Sequence, residues 1–164
     1  MASSSTGAWP LPPLYQPLNK DKREMRLLEI LPNTSDGLVN CKLHTVLLTP
    51  DLYYTCISYV WGDPTVTEDI VVDGVTRQVT VSRATALRHL KQHWIDIERK
   101  SDPGLNTSKF RLWADALCIN QQDLTERLHQ VGMMADIYSS AAMVMAWITA
   151  SGKVVQKAFK AFER

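Results

Sequence analysis

No apolar run in this 164-residue chain reaches the length of a bilayer span, so no membrane-crossing helix is expected. An excess of charge of one sign is also missing. Lys and Arg number 18 against 17 Asp and Glu, a formal net charge of +1. Partners such as nucleic acid or an anionic membrane usually leave a basic patch, so neither is expected. Cysteine is scarce: Cys41, Cys56 and Cys118 are odd in number, far apart, and form no CxxC pair. That leaves no disulfide framework and no support for structural zinc. Each lies in an apolar run, where a buried reduced thiol of a cytosolic protein is the expectation. Residues 1–18 (MASSSTGAWPLPPLYQPL) lack the basic and apolar regions of a signal peptide, and a cytoplasmic location follows as an expectation. The signatures GxSxG, GxxxxGK[ST] and GxGxxG are absent. His89 and His93 have helical i, i+4 spacing but no third metal ligand, so solvated or half-buried histidines are expected and no metal site.

What is present is an ordinary globular composition, 45% hydrophobic and 21% charged, in a chain long enough for one domain. Residues 1–19 read as a Ser/Pro-rich leader, with Tyr15 and Leu18 as candidates to dock on the domain. Residues 20–150 form the domain, and 151–164 the start of a C-terminal helical extension or linker that continues in a longer protein. Residues 25–31 (MRLLEIL) and the alternating run 38–48 read as two antiparallel strands, and 53–60 (YYTCISYV) as a buried central strand. Asp73-Gly74 between two β-branched runs predicts a two-residue hairpin turn. Ser82 is a candidate N-cap for a helix to about Ile97 whose Leu87, Leu90, Trp94 and Ile97 face the core.

Residues 110–148 organise the chain. An apolar run at 110–119, interrupted by Asp115, predicts a strand. A polar corner, Asn120-Gln121-Gln122-Asp123, leads to a helix over 124–138, and a second apolar run closes a strand–helix–strand unit. Leu124, Leu128, Val131, Ala135 and Tyr138 form the stripe expected to pack on the sheet. Glu126, Gln130, Met133 and Ile137 form a second stripe on roughly the opposite side. In parallel sheets ligands sit beyond the carboxyl ends of the strands, which directs attention to the corner at 120–126.

Glu126 has two readings. Asp123-Leu124-Thr125-Glu126 fits a capping box, and spacing favours that over catalysis. Asp115, in apolar surroundings, is either a structural ion pair with Arg111, Arg127 or Arg83, or part of a site. Ser58, Tyr59, Trp61, Gly62 and Asp63 lie at the end of the central strand and, with Asn120, would share one rim if that strand ran parallel to 110–119. Trp61 would then stack on a planar ligand, with Asp63 or Ser58 accepting ribose hydroxyls. Alternatively Trp61 caps the core and Gly62-Asp63 is only a turn.

The blocks SYVWGD at 58–63, ALRHL at 86–90 and LWADALCINQQDLTERLHQVGMMADIYSSAAMVMAWI, with MRLLEILP before them, resemble the heterokaryon-incompatibility (HET) domain of filamentous fungi over roughly residues 14–148. The combination of SYxWGD with DALCINQxDxxERxxQVxxMxxIY is highly specific. The chain departs from the usual pattern in having Ala114 where WIDA is typical, Ser82-Arg83 where Asn-Leu is typical, and Ile148-Thr149 after Trp147 where WLG is typical. The resemblance implies an effector of non-self recognition that triggers programmed cell death. HET domains in turn look similar to TIR domains, which implies an α/β fold with a TIR- or flavodoxin-like, mostly parallel sheet flanked by helices, here with added N-terminal β-hairpins. Glu126 matches the position of the TIR catalytic glutamate. That likeness further implies cleavage of NAD at the nicotinamide–ribose bond, with NAD a substrate rather than a cofactor, Trp61 or Tyr59 stacking on it, Asp63, Asp115 and Asn120 orienting ribose, and a homo-oligomer when active. The competing expectation is a non-catalytic signalling module that acts by homotypic assembly.

Overall fold

The structure is a computed structural model that describes residues 13–59, 62–150 and 153–160, with 148–150 and 153–160 described for the backbone alone. Eight strands form one sheet: β1 (Glu24–Leu31), β2 (Asn40–Leu47), β3 (Thr55–Tyr59), β4 (Thr67–Val72), β5 (Val75–Thr80), β6 (Leu112–Trp113), β7 (Met143–Ala150) and β8 (Lys153–Lys160). Among the described residues three α-helices join them: α1 (Val81–Glu98), α2 (Asp115–Cys118) and α3 (Leu124–Ser140). The order across the sheet is β5-β4-β2-β1-β6-β3-β7-β8. The α/β class is as expected. Pairing is parallel at the centre, β6–β3 and β3–β7, and again at β2–β4. It is antiparallel in the three hairpins and between β1 and β6.

Local chemistry explains most elements. β1 is buried on both faces, which its near-continuous apolar run permits. The turn between β4 and β5 places Asp73 at φ 50° and Gly74 at φ 76°, the positive angles of a tight hairpin. Thr80, two residues before the expected Ser82, caps α1 by accepting from the Arg83 amide. Leu87, Leu90 and Trp94 are buried as the helical period requires. Trp94 packs on Phe110 with ring centroids 5.0 Å apart.

β3 sits at the core with a helix on each face. Tyr59 and Ile57 share a small apolar void with Ala86 and Leu87 of α1. The alternate residues Tyr54 and Cys56 reach the Ile137 carbonyl of α3, the tyrosine hydroxyl at 2.5 Å. Burial raises the thiol pKa of all three cysteines, to about 12 at Cys41 and Cys118, and all are unpaired, as expected of inert core thiols.

Three expectations need correction. The run 110–119 is not one strand. It is the two-residue β6 followed by the single helical turn of α2, because an apolar run can be buried by a turn of helix as well as by a pleat. Asp115 therefore opens a helix instead of interrupting a strand. Residues 154–162, expected to be helical, instead contribute β8, whose backbone pairs with β7 over its full length. The stripe of α3 expected to pack on the sheet is largely the exposed one, while the second stripe, also expected to be covered with Glu126 partly enclosed, is the buried one. Glu126, Gln130, Met133 and Ile137 are buried, whereas Leu124, Leu128 and Val131 are 57%, 64% and 52% exposed.

Replacing Gly74 by alanine puts a Cβ at φ 76°. The expected cost is about 1 kcal/mol, read as a lower urea midpoint with an unchanged slope.

Candidate functional site

The corner between β6 and α3 is built around an ion pair. Arg26 of β1 is 2% exposed and Glu126 of α3 6%. The guanidinium binds the carboxylate bidentately, at 2.6 Å to Oε1 and 3.0 Å to Oε2. Arg26 also donates to the Cys118 carbonyl at 3.1 Å and the Gln16 carbonyl at 2.5 Å. Glu126 Oε1 accepts in addition from the Asn120 amide at 2.7 Å. Burial of two charges is tolerable only with this degree of satisfaction. Tyr15 of the leader completes the enclosure. The guanidiniums of Arg26 and Arg77 lie over its ring, 4.9 and 5.1 Å from the centroid, and its hydroxyl donates to the Leu117 carbonyl. Burial raises its pKa above the usual phenol value.

Half of the capping box forms. Asp123 accepts from the Thr125 and Glu126 amides as the N-cap of α3. The reciprocal bond does not run from Glu126 to Asp123, because the carboxylate is taken by Arg26 and the Asn120 amide. Gln130, one turn on, donates to the Glu24 carbonyl. These buried partners explain why α3 turns a polar-led stripe inward. Beside them lies a cavity of about 170 Å3 under Pro17, Leu18 and Lys20, with Glu126, His129 and Gln130 on its α3 side.

A second group gathers at the carboxyl ends of β3 and β6. The Tyr59 hydroxyl donates to Asp115 Oδ1 at 2.7 Å, and the same oxygen accepts from the Ala116 amide. Burial and the Asp115 charge raise the Tyr59 pKa far above its usual value, so the phenol stays protonated. Arg83 of α1 lies over the Tyr59 ring at 5.3 Å. Gln121 donates to the Asp115 carbonyl. Asp115 and Gln121 open on a cleft of about 340 Å3, walled also by Arg83, Arg127, Val131 and Met134. Such a volume is at the lower end of small-molecule sites, ~300–1,000 Å3.

The residues singled out in the sequence thus divide. Tyr59 and Asp115 are brought together by their hydrogen bond, and Asp115 opens on the cleft of about 340 Å3. Asn120 and Glu126 are joined to each other at the smaller cavity. Ser58 is exposed at the end of β3. Asp63 closes a turn by accepting from the Thr65 amide and hydroxyl, bonds that also lower its pKa. Gly62 is required by close approach, since a Cβ there would lie 2.8 Å from Ser82 Cβ. Trp61 lies outside the described residues. Asp115 was expected to pair with an arginine or join a site; its Oδ1 is held by a phenol and an amide. Sequence reasoning missed Arg26, whose one signal is a charge inside an apolar strand, and Gln121. His89 is exposed and bonded to its own helix at the Thr85 carbonyl. Among the described residues no cluster of three or more His, Cys, Asp or Glu is placed to hold a metal, and no helix is long and apolar enough to cross a membrane.

Residues 54–164 match the family model described as Heterokaryon incompatibility protein (HET). The chain is similar to Heterokaryon incompatibility protein 6, OR allele, of Neurospora crassa, with 37% identity over 141 residues, covering 80% of this chain and 19% of that protein. The chain thus spans about a fifth of the length of the curated relative it matches. No solved structure matches it.

Removing one member of the buried pair leaves the other charged and unpaired. Arg26→Ala and Glu126→Ala are each expected to cost about 3–5 kcal/mol in urea unfolding. The combined replacement Arg26→Met with Glu126→Leu should recover much of that loss, because it leaves no orphan charge.

Proposed function

The chain belongs to the heterokaryon incompatibility (HET) family, and from that premise we propose that it is an effector module of fungal non-self recognition that triggers programmed cell death by cleaving the nicotinamide–ribose bond of NAD. The family match over residues 54–164 supports the recognition role. The chemistry is supported by one observation: a carboxylate, Asp115, opens on a cleft beyond the carboxyl ends of two parallel strands.

In the proposed reaction water adds to the ribose carbon, the glycosidic bond breaks, and nicotinamide departs with the bonding pair. The products are ADP-ribose, nicotinamide and a proton. The leaving group is a neutral heterocycle, so no strong acid is needed. The demand falls on stabilising an oxocarbenium-like centre, which a fixed carboxylate meets. Both Asp115 bonds fall on Oδ1. Tyr59, held protonated, fixes the orientation of that carboxylate. Glu126, the residue carried over by family likeness, has both oxygens bound to Arg26 and is assigned the positioning of the Asn120 corner.

A second reading is favoured by a different observation. The exposed Leu124, Leu128 and Val131 give α3 an uncovered apolar face, as homotypic assembly would use. The two readings separate in cells. Catalysis predicts that Asp115→Asn abolishes killing, whereas assembly alone predicts that Asp115→Asn still kills and Leu128→Glu does not.

The direct test is NAD turnover by the purified chain. Asp115→Asn is expected to lose at least about 100-fold in kcat with an unchanged melting temperature. Equal turnover in Asp115→Asn and wild type contradicts the assignment of Asp115, and a folded wild-type chain that leaves NAD intact contradicts the reaction.

A further inference from the structure

The cavity between the leader and α3 is separate from the Asp115 cleft, and its buried polar wall is not spent on the fold. Gln130 is 1% exposed, and its Nε2 donates to the Glu24 carbonyl, which leaves Oε1 as the free end of the amide. That oxygen is buried without a hydrogen-bond partner among the described residues, and Gln130 lines the cavity. A buried acceptor gains most from a donor supplied in its own cavity. His129, next along α3, adds a second acceptor. Its Nε2 faces the Lys20 carbonyl at 3.4 Å, and a carbonyl only accepts, so the hydrogen of the neutral ring sits on Nε2. Nδ1 then carries a lone pair, and it too is buried and unpartnered among the described residues. Glu24 spends Oε2 on the Asn19 amide, and Asp123 spends Oδ1 on the cap of α3. Both carboxylates line the same cavity.

These groups select a ligand. The two buried unpartnered atoms are acceptors, so they call for a group rich in donors. Glu126 is neutralised by Arg26, and Glu24 with Asp123 outweigh the single ammonium of Lys20, so a cation is favoured over an anion. A primary ammonium has three N–H donors and no acceptor. Pro17 and Leu18 add an apolar roof, which an inorganic cation would leave unused. The volume of about 170 Å3 is close to the ~150 Å3 that holds a benzene-sized molecule, so the stem is one ring or a short aliphatic chain.

We propose that this cavity is a binding site for a small primary amine, whose ammonium donates to Gln130 Oε1, His129 Nδ1 and the Glu24 carboxylate while its apolar stem lies under Pro17 and Leu18. The roof belongs to the leader and the floor to α3, so a bound amine ties the leader to the domain. The site uses neither Asp115 nor Tyr59 and is independent of the NAD reading.

Calorimetric titration of the full chain with benzylamine tests the assignment. Benzyl alcohol removes the charge, benzyltrimethylammonium keeps the charge without N–H donors, and benzoate reverses the sign. Benzylamine is expected to bind at least about tenfold more tightly than each of the three, the worth of one charge-assisted hydrogen bond. His129→Phe keeps a ring and removes the acceptor. Glu24→Gln keeps an oxygen for the Asn19 amide and removes the charge. Each is expected to weaken benzylamine at least about tenfold with little change in melting temperature. Gln130→Met is expected to weaken it as much, and because that change also removes the bond to the Glu24 carbonyl, the other two variants decide the outcome if it does not fold. The proposal is overturned if benzylamine binds no more tightly than benzyl alcohol, if benzyltrimethylammonium matches it, or if His129→Phe and Glu24→Gln both bind it as wild type does.

Discussion

The Arg26–Glu126 pair is the constraint on which the rest of this fold turns. Two charges buried in a domain of this size are costly unless each lone pair and donor is used. Here they draw in the Cys118 and Gln16 carbonyls and the Asn120 amide. One interaction thereby joins β1, the leader, the end of α2, the polar corner and the start of α3. It sets the rotation of α3, because Glu126 must face inward, and the position of the Asp115 cleft on the other side of the corner follows.

The rotation of α3 explains its surface. A helix with two stripes can bury only one against a sheet. Burying the stripe of Glu126, Gln130, Met133 and Ile137 leaves Leu124, Leu128 and Val131 outward, more than half exposed. Val131 borders the cleft, and the other two lie outside it. One face of a single helix therefore both walls the cleft and carries exposed apolar side chains.

Much of this was legible beforehand. The hairpin at Asp73-Gly74, the central strand at 55–59, the Asp123 cap and the extent of α3 all rest on local rules that tertiary packing did not override. Legibility ended where long-range pairing decided. The inward face of α3 was misread because its polar members have partners one hundred residues away in sequence, at Arg26, and 106 away, at Glu24. Likewise, β6 was overextended because burial by one turn of helix and burial in a strand look alike in an apolar run. At the site, Tyr59 stands out by its strand-end position and Asp115 as a carboxylate in an apolar run, but their hydrogen bond depends on the parallel pairing of β3 with β6. Glu126 was named through family likeness and by spacing as a cap. Its actual partner, Arg26, carried no periodic signal.

Hydrogen exchange of the Asn120 backbone amide tests the central pair most directly. This amide lies in a polar corner where fast exchange is the ordinary outcome, yet it donates to buried Glu126 at 2.7 Å. The account predicts protection as strong as that of the β3 amides, lost in Glu126→Gln. Exchange of Asn120 as fast as that of the neighbouring exposed Gln122 amide would contradict it.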